Sequence, residues 1–280
     1  MIVEYGKEKL HLGNIIKCLK YKIRFAQLHP NYLQADGLLC FIGPQGSGKT
    51  LSAVNYVCHI MEEYPFCKLV TNVALRDYPA VSYEEFKEKH LLYYDDLKAM
   101  DLNEKDMENE MWRFYTLENR IFPFYDNDDL SIYENGENGI IYFIDEIHLY
   151  LSSLQSKNVN MDTATQISQQ RKQRKHIVAT CQVFGRMAKP LREQFSNVIV
   201  CKNYLGIFQL NKYVDRESLD TESSSDTKIT GKTKESFFWI HSPEMYERYD
   251  TYQVIKRGKF IGGEQQKEVY QLGDRLSTSY

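Results

Sequence analysis

The sequence predicts an α/β fold, a three-layer sandwich built on a mainly parallel central sheet. Three observations predict it. A short apolar strand at 37–42 runs into a glycine-rich turn and then into a helical stretch at 51–61. A second apolar run, at 140–144, ends in two adjacent carboxylates. Around them strand-like and helix-like stretches alternate, as βαβ units do, and such sheets take ligands at the carboxyl ends of their strands.

The turn reads Gly43-Pro44-Gln45-Gly46-Ser47-Gly48-Lys49-Thr50, with Leu51 opening the helix. It fits the phosphate-binding pattern G-x-x-x-x-G-K-[ST] at every fixed position. A chance glycine-rich turn would not come with a strand before it and a helix after it. Strand, turn and helix N-terminus together aim backbone N–H groups at a phosphate chain. Lys49 is placed to meet the β- and γ-phosphates and the Thr50 hydroxyl to ligate Mg²⁺, so ATP and Mg²⁺ are the expected ligands.

The run at 140–144 closes on Asp145 and Glu146. Asp145 stands where a Walker B carboxylate holds the water shell of Mg²⁺. Glu146 is placed to orient and deprotonate a water attacking the γ-phosphate, which points to hydrolysis rather than to phosphoryl transfer onto a small acceptor. His148 completes the form of a helicase D-E-x-H box, but 280 residues leave no room for two motor domains. His148 is therefore expected on the surface or behind the site.

Composition excludes little. The net charge is −3 and the six cysteines are scattered without a C-x-x-C pair, which fits reduced thiols and a cytoplasmic protein. No apolar run reaches the length of a membrane span, and the first residues lack the apolar core of a signal peptide. The charge is unevenly spread. Residues 83–137 hold sixteen acidic side chains against six basic ones, a local net of −10. This stretch is expected to be an acidic, mostly helical insertion. Asp126, Asp128 and Asp129 lack the spacing of a calcium loop. Residues 171–202 hold eight basic side chains and one acidic one. The local net there is +7.

In chain order, residues 1–36 form an N-terminal extension. Within it Ile15, Ile16, Leu19 and Ile23 interleave with Lys17, Lys20, Lys22 and Arg24. This reads as a basic amphipathic helix, or a helix followed by a strand, expected to pack on the core rather than to dock on a membrane or partner. The ATP-binding domain is expected over 37–256, with a second strand at 68–74. The basic run Arg171-Lys172-Gln173-Arg174-Lys175-His176 leads into a strand ending at Gln182, which is placed to sense the γ-phosphate. Arg171 or Arg174 is a candidate arginine finger for a neighbouring subunit's nucleotide, against a nucleic-acid contact surface or a plain solvated face. Two strands follow at 196–201 and 207–214, then a flexible serine/threonine-rich loop at 217–236. Residues 237–240 and 246–256 are expected to return to the core, and 257–280 to form a tail.

These elements stand in the order of additional-strand P-loop ATPases, of the RecA/FtsK kind. The phosphate loop, Asp145-Glu146, the Arg171-initiated run, Ala179-Thr180-Cys181-Gln182 and the late Tyr249-Asp250-Thr251-Tyr252 resemble the HerA/FtsK superfamily. Within it the chain resembles the zonular occludens toxin (Zot)-like ATPases of phages and mobile elements. The resemblance implies an ATPase that assembles as a homo-oligomeric ring, pentameric or hexameric. It implies work on double-stranded DNA, or on a phage capsid, portal or membrane assembly protein. It assigns nucleotide and Mg²⁺ to Lys49 and Thr50, the Walker B pair to Asp145 and Glu146, the sensor to Gln182 and the trans finger to Arg171. Filamentous-phage members carry a membrane-spanning helix after this domain, and its absence here favours a soluble packaging motor over virion extrusion.

Overall fold

The computed structural model describes residues 12–33, 37–100, 102–133, 138–150, 174–195, 197–220 and 228–249. Arg171, the polar stretch at 158–173 and the tail at 257–280 lie outside the described residues.

An eight-stranded sheet carries the molecule. Its strands are β1 (Leu38–Ile42), β2 (Lys68–Thr71), β3 (Ile121–Pro123), β4 (Ile140–Ile144), β5 (Lys175–Cys181), β6 (Asn197–Tyr204), β7 (Phe208–Asp215) and β10 (Thr233–Ile240). They lie in the order β10-β7-β6-β1-β5-β4-β2-β3. From β6 to β3 every pairing is parallel, and β6-β7-β10 is antiparallel. A small pair, β8 (Leu219–Asp220) with β9 (Lys228–Ile229), sits apart. The strand that precedes the phosphate loop does not touch the one that ends at Asp145. β5 is inserted between them, with Leu38 opposite Ile177 and Ile144 opposite Ala179. That order is the defining feature of an additional-strand P-loop fold.

Over the central parallel strands both sheet faces are buried, as every residue of β1, β4 and β5 is. On one face Leu39, Phe41, Ile141, Phe143 and Val178 pack with Ala53, Val54, Val57 and Met61 of α2 (Lys49–Glu63). On the other, Cys40, Ile42, Tyr142, Ile144 and Ala179 share a core with residues of the acidic stretch. The longer helices of that stretch are α3 (Tyr83–Lys89), α4 (Leu91–Ala99) and α5 (Glu104–Glu118). Phe86, Leu97, Met107, Met111 and Tyr115 turn inward from them. The described residues of 83–133 thus supply the third layer of the sandwich, and β3 within them is one edge strand of the sheet. The acidic side chains of these three helices lie at or near the surface, where Ser82 caps α3 and Asn103 caps α5. Asp126, Asp128 and Asp129 build a turn, in which the buried Asp129 carboxylate accepts the Tyr125 and Asp126 N–H groups.

Several expectations are corrected. α1 (Leu12–Leu28) is one continuous helix, but its apolar stripe does not pack on the core: Ile15, Ile16, Leu19 and Ile23 are all exposed. Phe237, Phe238 and Ile240 do not return to the core either, because β10 is an outer strand of the sheet and no layer among the described residues covers it. Thr233–Ile240 is strand where 217–236 was expected to be a flexible loop, since β7 offers it a ladder. The second strand stops at Thr71, and its continuation turns into the site. Five of the six cysteines are buried and all six are free. Among the described residues no helix is long and apolar enough to cross a membrane.

Candidate functional site

The parallel strands deliver their carboxyl ends to one edge of the sheet, and the predicted residues meet there. The loop Gly43–Thr50 joins β1 to α2, with the Gly43 N–H donating to Cys181 O at the end of β5. Gly48 is in the left-handed region (φ 76°) and a Cβ on it would overlap the Gln209 side-chain amide. Only glycine meets both conditions. At Gly43 a Cβ would collide with the Ser47 side chain and the Cys201 carbonyl. Pro44, Gln45 and Gly46 form the exposed crest of the loop, whereas Ser47, Lys49 and Leu51 are buried.

Thr50 Oγ1 donates to Asp145 Oδ1 (2.9 Å), which joins the two expected Mg²⁺ ligands directly. Thr180 Oγ1 donates to the same oxygen. Burial holds the Asp145 carboxyl above its ordinary pKa, against the pull of the Thr180 and Thr50 hydroxyls and of Lys49. A desolvated carboxylate beside a hydroxyl at a phosphate loop fits a divalent cation, which would restore the charge balance that burial disturbs. When bound, such an ion would neutralise developing phosphate charge.

Glu146 is the centre of a second cluster. Lys49 Nζ lies 3.0 Å from its Oε1, Gln182 Nε2 3.4 Å from the same atom, and His148 Nδ1 3.2 Å from Oε2. Its backbone is left-handed (φ 51°), unusual for a side-chain-bearing residue. The Glu146 N–H donates to Thr180 Oγ1 (2.9 Å), which holds that conformation. Of the two places expected for His148, the structure gives the one behind the site rather than the surface. His148 touches the carboxylate, and burial lowers its pKa more than Glu146 raises it.

Three contributors carry no motif. Asn72, just beyond β2, clamps the Asp145 peptide: its Oδ1 accepts the Asp145 N–H (2.8 Å) and its Nδ2 donates to the Asp145 carbonyl (2.9 Å). Thr180 bonds both carboxylate residues from β5. Gln209 on β7 donates to Ser47 O in the phosphate loop (3.0 Å). An asparagine after the second strand and a threonine two residues before the sensor were readable signals, but their partners lie far away in sequence.

Arg174 stands apart. It precedes β5, whose seven residues span roughly 20 Å, so it lies at the opposite end of the strand from Gln182. Its guanidinium stacks 3.6 Å from the Tyr32 ring centroid. It does not reach this chain's own phosphate loop. Arg171 falls outside the described residues.

The fold and the site together define an additional-strand P-loop NTPase fold, with the Gly43–Thr50 loop, the Asp145–Glu146 pair and a strand-end glutamine side by side. Known protein families and curated proteins return no match to the chain. Solved structures similar to it include the N-terminal domain of zonular occludens toxin from Neisseria meningitidis, from the group that the sequence resembles. It is 15% identical, covers 77% of this chain and 100% of its own, and has a TM-score of 0.43. The genome packaging NTPase B204 of Sulfolobus turreted icosahedral virus 2, with AMPPCP, is 9% identical over 59% of this chain and 75% of its own, at a TM-score of 0.41. The flagellar accessory protein FlaH from Methanocaldococcus jannaschii is 11% identical over 64% of this chain and 78% of its own, at 0.37. Likeness this remote adds no residue role, and the chemistry rests on the geometry above.

Proposed function

We propose that the chain is a Mg²⁺-dependent ATP hydrolase and the subunit of a ring-forming motor that translocates or packages double-stranded DNA. The observation that carries the hydrolase reading is the convergence of Lys49, Gln182 and His148 on Glu146, beside an Asp145 bonded to Thr50. Lys49 and the loop N–H groups bind and orient the phosphates. Glu146 accepts the proton of the attacking water, and Gln182 orients that water or meets the γ-phosphate. His148, neutral at neutral pH, leaves the Glu146 carboxylate free to act. Arg174 lies at the far end of β5 from Gln182, so a finger role for it would be toward a neighbouring subunit's nucleotide, and the same role is proposed for Arg171 from the resemblance alone. The DNA substrate is supported by the resemblance to HerA/FtsK and Zot-like ATPases and by the basic stretch at 171–202.

The exposed apolar stripe of α1 favours one other reading, an assembly ATPase that moves a protein or acts at a membrane partner. Turnover measured against protein concentration, with and without double-stranded DNA, separates the two. A motor on DNA gives a rate per subunit that rises with concentration and a DNA stimulation that falls steeply with salt. A flat response to DNA favours the second reading. Glu146→Gln is expected to retain ATP binding and lose turnover at least a hundredfold; a variant that keeps wild-type turnover removes Glu146 as the base.

A further inference from the structure

The cleft beside the phosphate loop has a volume of about 700 Å³ and two chemically different ends. One end offers the loop, Lys49, Thr50 and Asp145. The other is walled by Val73, Asn203, Leu205, His241, Tyr246 and Tyr249, which are apolar, aromatic or neutral polar at neutral pH. This wall offers a phosphate no lysine or arginine, whereas it offers a flat ring two aromatic side chains.

The second wall is assembled from three parts of the chain. Val73 follows β2, Asn203 and Leu205 belong to the β6–β7 hairpin, and the other three come after β10. Leu75 bridges Tyr249, and the Arg76 N–H donates to Arg248 O (2.8 Å). The Tyr246 hydroxyl lies between His241 Nδ1 and the Gly206 carbonyl, 2.9 Å from the latter. His241 Nε2 donates to Gln209 Oε1 (3.2 Å), and Gln209 Nε2 donates to Ser47 O (3.0 Å). Gln209 is fully buried. A continuous hydrogen-bonded chain thus runs from the phosphate loop to the aromatic wall and sets the distance between them. The left-handed Leu205 (φ 55°) at the hairpin tip is 88% exposed and lines the same cleft.

We propose that this wall is the nucleobase subsite: it takes the planar base of a nucleoside triphosphate against Tyr246, Tyr249 and Leu205 while the loop takes the phosphates. The inference rests on the nucleotide reading of the loop and adds to it where, and by what chemistry, the base is held. Stacking on an aromatic side chain is sequence-tolerant and strong enough to change an affinity tenfold or more.

The test is calorimetric binding of ATP and of inorganic tripolyphosphate to the full chain and to Tyr246→Ala and Tyr246→Phe. The wild type is expected to bind ATP at least tenfold more tightly than tripolyphosphate. Tyr246→Ala should lose that margin while leaving tripolyphosphate affinity unchanged, and Tyr246→Phe, which keeps the ring, should retain it. Tripolyphosphate bound as tightly as ATP by the wild type overturns the subsite alone. Equal losses for both ligands in Tyr246→Ala, or no loss for either, also overturn it. A wild type that binds neither ligand overturns the nucleotide reading, and the subsite with it.

Discussion

Replacing Thr180 by valine keeps the side chain's shape and removes one hydroxyl, and that hydroxyl bonds both Asp145 and Glu146. Thr180 has no exposed surface; it donates to Asp145 Oδ1 and accepts the Glu146 N–H. A hydrogen bond to a charged group contributes about 1.5–3 kcal/mol and one between neutral groups about 1 kcal/mol. The substitution also strands the Glu146 N–H, so the expected loss of stability is ~3 kcal/mol, read as a shift of the urea midpoint at unchanged slope. The catalytic consequence follows from Glu146's left-handed backbone. Released from Thr180, that peptide relaxes toward negative φ and carries the carboxylate away from Gln182 and Lys49. A tenfold fall in kcat, about 1.4 kcal/mol, is expected with KM little changed. Steady-state phosphate release measures it. A kcat within twofold of wild type, with stability lowered as expected, would show that Thr180 supports the core and does not place Glu146. Unchanged stability would refute the reading of both bonds.

Three further outcomes are expected. Burial raises the Asp145 pKa, so its ionised form costs the folded state stability at neutral pH. That cost is absent below the ordinary carboxylate pKa and grows as pH rises through the folded value. Asp145→Asn should therefore raise Tm at pH 7 while abolishing Mg²⁺-dependent turnover, and a lower Tm would contradict this. Gly48→Ala meets both a left-handed backbone and the Gln209 amide; a loss of ~2 kcal/mol in stability and of measurable nucleotide binding is expected in calorimetry. His148 has its pKa lowered by burial, so it resists protonation in the fold, and stability falls as pH drops from the ordinary histidine value. Once protonated it pairs with Glu146 and withdraws the base. The acid limb of kcat should accordingly flatten in His148→Gln, and an unchanged limb would assign it to Glu146 itself.

The legible part of this protein was the part with local causes. The phosphate loop is readable because a strand, fixed glycines and a helix start within some twenty residues impose their own geometry. Asp145 and Glu146 are readable because a buried strand must surface somewhere, and carboxylates mark where. The amphipathic period of Leu12–Leu28 was equally legible, but periodicity says which side chains share a face and not what covers it; here nothing among the described residues does. The same limit misplaced Phe237, Phe238 and Ile240, whose apolarity reads as core until the sheet order makes β10 an edge.

By itself, then, the sequence determined the layers, the phosphate-binding loop and the identity of the acid pair, each set by contacts within one element and its neighbours in the chain. The tertiary structure alone decided what holds them. Asn72 lies 73 residues from Asp145, Thr180 lies 34 from Glu146 and Gln209 lies 162 from Ser47. The parallel pairing of β2 with β4, the insertion of β5 between β1 and β4, and the antiparallel addition of β7 bring those groups within bonding distance. The physical reason is that a hydrogen bond has a range of about 3 Å in space and none along the sequence.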